Sequence, residues 1–249
     1  MEEIKMKKQI SFLNVLSILL LSCSSNIFNP KTNKKNDSEN KITSKRVYTT
    51  NFTKEENPLT EGGNWICGKT TGIDWNDFAS KPGYAYGLQS QSGFHDDDGI
   101  AILSDAWAAD QWAQATVFIK LGTKGGNEVE LHLRHTMYAH YSAGYEIYWS
   151  VNMSPPYVSI TRWNGARGDW TIIKQIFGTQ YGVANGDVIR ATIIGNVISA
   201  YKNGVLQEQV SDSVFTTGAP GIGQWTDQEG SQNQLYGFTN FSAGDYGVK

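Results

Sequence analysis

Residues 186–212, GDVIRATIIGNVISAYKNGVLQEQVSD, read as three short strands joined by two tight turns. Val188, Arg190, Thr192 and Ile194 alternate with Ile189, Ala191 and Ile193. Apolar side chains therefore fall on both faces, which places this strand in the middle of a sheet. Gly195-Asn196 is a two-residue turn signal, and Val197 to Tyr201 is the returning strand. Asn203-Gly204 supplies the φ > 0 positions of the next turn, and Val205 to Val210 continues the meander.

The same period of two recurs upstream. In Asp110 to Lys120, Ala113, Ala115, Val117 and Ile119 form a purely apolar face that must point inward. Trp112, Gln114, Thr116 and Phe118 point the other way. Glu128 to Met137 (EVELHLRHTM) alternates most clearly, with Val129, Leu131 and Leu133 inward and Glu128, Glu130, His132 and Arg134 outward. Tyr141 to Met153 sends Tyr145, Ile147, Trp149 and Val151 inward and Glu146 and Tyr148 outward. Tyr157 to Trp163 follows, with Val158 and Ile160 inward and Ser159, Thr161 and Trp163 outward. Further strands are expected at Val47–Phe52, Tyr84–Gln89, Gly99–Ser104 and Trp170–Phe177, and a loop over Asp74–Gly83. No stretch after residue 46 carries an apolar stripe of helical period. The expected fold class is all-β, a two-layer antiparallel sandwich.

The amino terminus reads differently. Lys5, Lys7 and Lys8 precede an apolar run from Ile10 to Leu21. A spanning helix needs about 20 apolar residues, so this run fits a secretory signal instead. Met6 is an alternative start. Leu20-Leu21-Ser22-Cys23 resembles the bacterial lipobox. That resemblance implies cleavage before Cys23 and acyl chains on it, each buried CH₂ anchoring with about 0.8 kcal/mol. The alternative is an ordinary cleaved signal with a chance Cys. Residues 24–46 are rich in Ser, Asn and Lys, with few large apolar residues and no period, and form a solvated tether. The expected organisation is thus a signal over 1–22, a tether over 23–46 and a domain over 47–249, held at a bacterial envelope by a lipid anchor. Ser24 after Cys23 is compatible with outer-membrane sorting in a two-membrane bacterium.

The chain is formally −3; the first 22 residues carry +1 and the tether +4, which leaves the domain at −8. A net negative domain without a basic stripe argues against a nucleic-acid partner. With Cys23 lipidated, Cys67 has no partner in the chain, so the fold does not rest on a disulfide. Cys67 sits in the apolar Trp65-Ile66-Cys67-Gly68 and is expected as a buried small hydrophobe.

Several of these stretches resemble the concanavalin A-like lectin/glucanase superfamily, and in particular the laminin-G-like jelly rolls of bacterial surface proteins. The 186–212 meander has the order G-D, strand, G-N, strand ending in Tyr201, N-G, strand, S-D. Gly218-Ala219-Pro220-Gly221-Ile222-Gly223, Ala109-Asp110-Gln111-Trp112 and the Asn57-Pro58 to Trp65 opening match runs of that group. The likeness extends from Val47 to Ala243. It implies a jelly roll whose first and last strands pair, Trp65 as a core anchor, and ligand sites on the concave sheet face or its rim.

Were the strands neighbours, one face would gather Trp112, Gln114, Glu130, His132, Arg134, Glu146, Tyr148, Thr161 and Trp163. Aromatic rings stack on the apolar face of a pyranose, and Gln, Glu and Arg bond its hydroxyls. The bland alternative is that loops cover these aromatics while Glu130, Arg134 and Glu146 form cross-strand ion pairs. For catalysis, Glu128-Val129-Glu130-Leu131-His132 resembles the E-x-D-x-E strand of the β-glucanases, whose outer carboxylates are nucleophile and acid about 5–5.5 Å apart. Glu130 replaces the central Asp and His132 the second carboxylate. A lyase would draw instead on His132, Arg134, His135, Tyr138, His140, Tyr141 or Tyr148, although His132 and His135 fall on opposite strand faces. His95-Asp96-Asp97-Asp98 is either a candidate Ca²⁺ turn, without D-x-D-x-D-G spacing, or a solvated acidic turn. No cofactor beyond that Ca²⁺ is called for. The sequence therefore suggests a non-catalytic protein that binds carbohydrate or a cell-surface partner, with a glycan-active enzyme and a structural envelope protein as alternatives.

Overall fold

The computed structural model describes residues 44–72, 74–89, 98–120, 122–227 and 231–246. In chain order the strands are β1 (Ser44–Thr50), β2 (Trp65–Cys67), β3 (Phe78–Lys81), β4 (Tyr84–Gly87) and β5 (Gly99–Leu103). Next come β6 (Gln111–Ile119), β7 (Asn127–Tyr138), β8 (Tyr141–Val151), β9 (Tyr157–Gly165) and β10 (Trp170–Phe177). The last five are β11 (Val188–Ile194), β12 (Val197–Lys202), β13 (Val205–Ser211), β14 (Ala219–Thr226) and β15 (Tyr236–Tyr246). Among the described residues the helical content is one 3₁₀ turn, Lys69–Thr71.

Two antiparallel sheets face each other. The first runs β13-β12-β11-β6-β15-β4-β3, with β1 added along β15; the second runs β10-β9-β8-β7-β14-β5-β2. The opening meander is where its turns predicted it. Gly195, Asn203 and Gly204 all have positive φ, and β11 lies between β12 and β6. The first strand begins at Ser44, before the expected Val47, and pairs with β15. The stretch expected as a loop at 74–83 contains β3, which closes the first sheet against β4.

Alternation along the strands sets the core. Ala113, Ala115 and Val117 of the first sheet meet Val129, Leu131, Leu133, Ile147 and Trp149 of the second, all buried. Trp65 is an anchor, as expected: it packs on Phe241 with ring centroids 5.1 Å apart and donates Nε1–H to Glu61 at 2.8 Å. Cys67 is buried, its thiol donating to the Leu59 carbonyl at 3.2 Å, and burial pushes its pKa up to about 12. Such a thiol is inert at neutral pH.

One residue breaks the pattern. β7 shifts register against β8 between Leu133 and Thr136, and Arg134 at the break has φ 47°. Two glycines let neighbouring backbone close on this bulge. A Cβ on Gly144 would lie 2.6 Å from His135 Cα, and one on Gly218 2.3 Å from the Arg134 carbonyl carbon.

Candidate functional site

The outer face of the second sheet carries most of the expected site. Glu130 and His132 on β7 lie opposite Tyr148 and Glu146 on β8, which lie opposite Ser159 and Thr161 on β9. The β9–β10 hairpin then sets Trp163 directly across from Trp170. These side chains point away from the core, but they are not in open water. Trp75 packs edge-on against Trp163 at 5.2 Å, and Ile100 and Met137 join them, so Trp163 is 5% exposed. A recess of about 260 Å³ remains beside this cover. It is lined by the rings of Tyr148, Trp163, Trp170 and Trp225, by Thr161, and by the carboxyl groups of Asp98, Glu128 and Glu146. Trp170, on the edge strand, is 44% exposed and is the most exposed ring of the group.

Carboxyl groups gather here. Asp98, Glu130 and Glu146 each present an oxygen, all within 4.8 Å of one another. Glu130 is fully buried, and among the described residues neither of its oxygens has a hydrogen-bond partner; His132 Nε2 stands 3.5 Å away. Burial, and then the Glu146, Asp98 and Glu128 carboxylates, hold the Glu130 pKa well above the carboxylate range. Glu128 accepts a bond from the Tyr157 hydroxyl, yet burial still pushes its pKa up to about 8. Glu146 accepts from the Trp163 indole N–H. Burial, then His135, lowers the His132 pKa well below the usual value, so that imidazole is neutral and brings no compensating charge.

These shifts fix a sign. With divalent cations chelated, the folded state keeps a proton on Glu128 that the unfolded chain has released. This stabilisation is fully present below the ordinary carboxylate value of 4.5 and is lost as pH rises through about 8. The unfolding midpoint in chelator is therefore expected to fall between about pH 5 and pH 8, and Glu128→Gln to flatten the slope. A midpoint that climbs across that window contradicts this protonation state.

The structure corrects several sequence expectations. Trp112 and Gln114 are not on this face: β6 belongs to the first sheet, so they point from the opposite side of the molecule. There Arg190 lies 4.3 Å over the Trp112 ring and bonds Gln114 Oε1 at 3.3 Å. Arg134 does not face outward either. The bulge turns it between the sheets, where Nε, Nη1 and Nη2 donate to the carbonyls of Ala109, Phe215 and Gly195 at 2.7, 2.9 and 2.6 Å. It therefore makes no cross-strand pair with Glu130 or Glu146. The same bulge brings the His132 and His135 rings together edge-on at 4.6 Å, although strict alternation would part them. Opposite His132, where the E-x-E-x-H strand lacks a carboxylate, the neighbouring strand places Glu146. Of the acidic turn, residues 95–97 lie outside the described residues, and Asp98 points into the carboxylate cluster. Trp170 and Trp225 were missed. Trp170 had a signal, being one hairpin away from Trp163, and Trp225 shares its strand face with Gly223.

No family model and no curated protein matches the sequence. Solved structures do share the fold. The exoplasmic/lumenal domain of VIP36, Ca²⁺/mannose-bound, aligns with TM-score 0.54 and 10% identity over 81% of this chain and 93% of its own. The carbohydrate recognition domain of Emp47p aligns at 0.50 and 12% over 85% and 99%. The CBM2 module of the evolved Dit of Lactobacillus casei BL23 phage J-1 aligns at 0.50 and 14% over 84% and 98%. The chain therefore shares with these structures a two-sheet antiparallel jelly-roll sandwich. At such identities the likeness is one of fold, and the function has to come from the site.

Proposed function

We propose that this chain is an exported, lipid-anchored sandwich that binds carbohydrate, without turning it over, in the recess on the outer face of the second sheet. The observation that carries the reading is the half-exposed Trp170 beside Trp163, Trp225 and Tyr148, with carboxyl groups in the same lining. Ring faces take the C–H face of a sugar, and carboxylates accept its hydroxyl protons. Structures of the same fold, the carbohydrate recognition domain of Emp47p and the mannose-bound domain of VIP36, support the class of ligand. The full chain on a glycan array is expected to retain at least one class of saccharide. An array without a hit overturns the reading.

A second reading follows from Glu128, Glu130 and Glu146 on adjacent strands: a glycan-active enzyme at the same recess. Release of reducing ends or unsaturated sugar from the retained glycan would establish it. Export and anchoring are supported by Lys5 to Leu21 and Leu20-Leu21-Ser22-Cys23. In a bacterial host, labelled palmitate is expected in the wild-type chain and absent from Cys23→Ala; label kept by the variant contradicts the anchor.

A further inference from the structure

We propose that Asp98, Glu130 and Glu146 hold a divalent cation of the oxygen-preferring class, with Ca²⁺ the best fit, beside the recess that Asp98 and Glu146 help to line. The ligands come from two strands of one sheet and the lead-in to a third: Glu146 from β8, Glu130 from β7, and Asp98 from the residue before β5. The site differs from the acidic turn suggested by the sequence, to which only Asp98 belongs.

Spacing is the first argument. The three carboxylate oxygens lie within 4.8 Å of one another. Oxygens bound to one Ca²⁺ at 2.3–2.6 Å are at most about 5 Å apart, whereas opposite ligands of Mg²⁺ are about 4.2 Å apart. The three oxygens can therefore share a Ca²⁺ with little movement.

The second argument is independent of the cluster. His132, 2% exposed, directs Nε2 to within 3.5 Å of Glu130, and among the described residues neither ring nitrogen has a hydrogen-bond partner. Buried polar atoms are normally satisfied, so an unsatisfied imidazole beside an unsatisfied carboxylate marks a missing group. With an ion present, Nε2–H is placed to orient the Glu130 carboxylate from behind, the usual outer partner of a metal ligand. The room is provided by Gly223 on β14. A Cβ there would lie 2.0 Å from a Glu130 oxygen and 2.5 Å from His132 Nε2. Among the described residues no Lys or Arg pairs with Glu130, and Arg134, four residues on, is committed to three carbonyls.

The inference does not require saccharide binding, and its test omits sugar. The full chain, stripped with EDTA, is titrated with CaCl₂ by calorimetry and with Tb³⁺ by luminescence excited through tryptophan. Trp163 bonds Glu146, so an ion at the cluster lies within transfer distance of its indole. One saturable Ca²⁺ site is expected, with sensitised Tb³⁺ emission displaced by Ca²⁺. At Ca²⁺ a hundredfold above Kd, the unfolding midpoint should rise by about 5–10 °C. Glu130→Gln and Glu146→Gln should each weaken binding at least tenfold, and Mg²⁺ should bind more weakly than Ca²⁺. Should either variant fail to fold, the other and the wild-type titration decide. Three results overturn the proposal: no saturable uptake of Ca²⁺ by the wild type at millimolar concentration, wild-type affinity in folded Glu130→Gln or Glu146→Gln, or uptake of Zn²⁺ with none of Ca²⁺.

Discussion

Arg134→Ala is expected to lower the stability of the domain by about 3–5 kcal/mol, measured as the free energy of denaturant unfolding. The guanidinium is 3% exposed and satisfies three carbonyls from three separate segments, the entry to β6, the β11–β12 turn and the stretch before β14. Its own backbone N–H donates to Gln111 Oε1 at 2.8 Å. Truncation leaves those carbonyls without their charged donor, and each buried polar group left unpaired costs about 1–3 kcal/mol. Arg134→Lys should recover little of the loss, because one ammonium cannot reach three acceptors set around a planar fork. Saccharide affinity per folded molecule should be unchanged, since Arg134 points away from the recess. A loss below about 1 kcal/mol, or a loss of binding in a folded variant, would return Arg134 to the outward face that simple alternation gave it.

Trp170→Ala is expected to weaken saccharide binding at least 30-fold, equivalent to about 2 kcal/mol, while leaving the unfolding midpoint nearly in place. A central aromatic anchor in a binding patch commonly contributes about that much. Trp170 lies on edge strand β10 and is 44% exposed, so little packing is lost with it. Trp163→Ala is a poorer probe, because Trp75 and Ile100 pack on Trp163 and the cover would collapse with it. Titration of the best array glycan into wild type and Trp170→Ala by calorimetry measures the effect. Equal affinity in both places the sugar elsewhere.

Much of the architecture was readable from local pattern. The faces of β7, β8 and β9 follow from a period of two, and these strands are joined by short turns, so their neighbours are neighbours in sequence. Glu130, His132, Glu146, Tyr148 and Trp163 therefore stand on one face, as expected. What local pattern could not supply was the sheet to which each strand belongs. β6 and β7 are consecutive but lie in different sheets, and that separation moves Trp112 and Gln114 to the far side. Nor could it supply the bulge at Arg134, where one residue in the left-handed region reverses the side expected for the next. The cover over the outer face is non-local too: Trp75 comes from a loop more than eighty residues before Trp163 in the chain. Outward was thus read correctly, and exposed was not.

The recess itself is tested most directly by the indole N–H signals of the eight tryptophans in a proton–nitrogen correlation spectrum recorded during saccharide titration. The structure predicts movement of the Trp170, Trp225 and Trp163 signals, with Trp65, Trp107, Trp112 and Trp149 still. Movement of Trp112 on the other sheet, with Trp170 unaffected at saturation, would contradict the site.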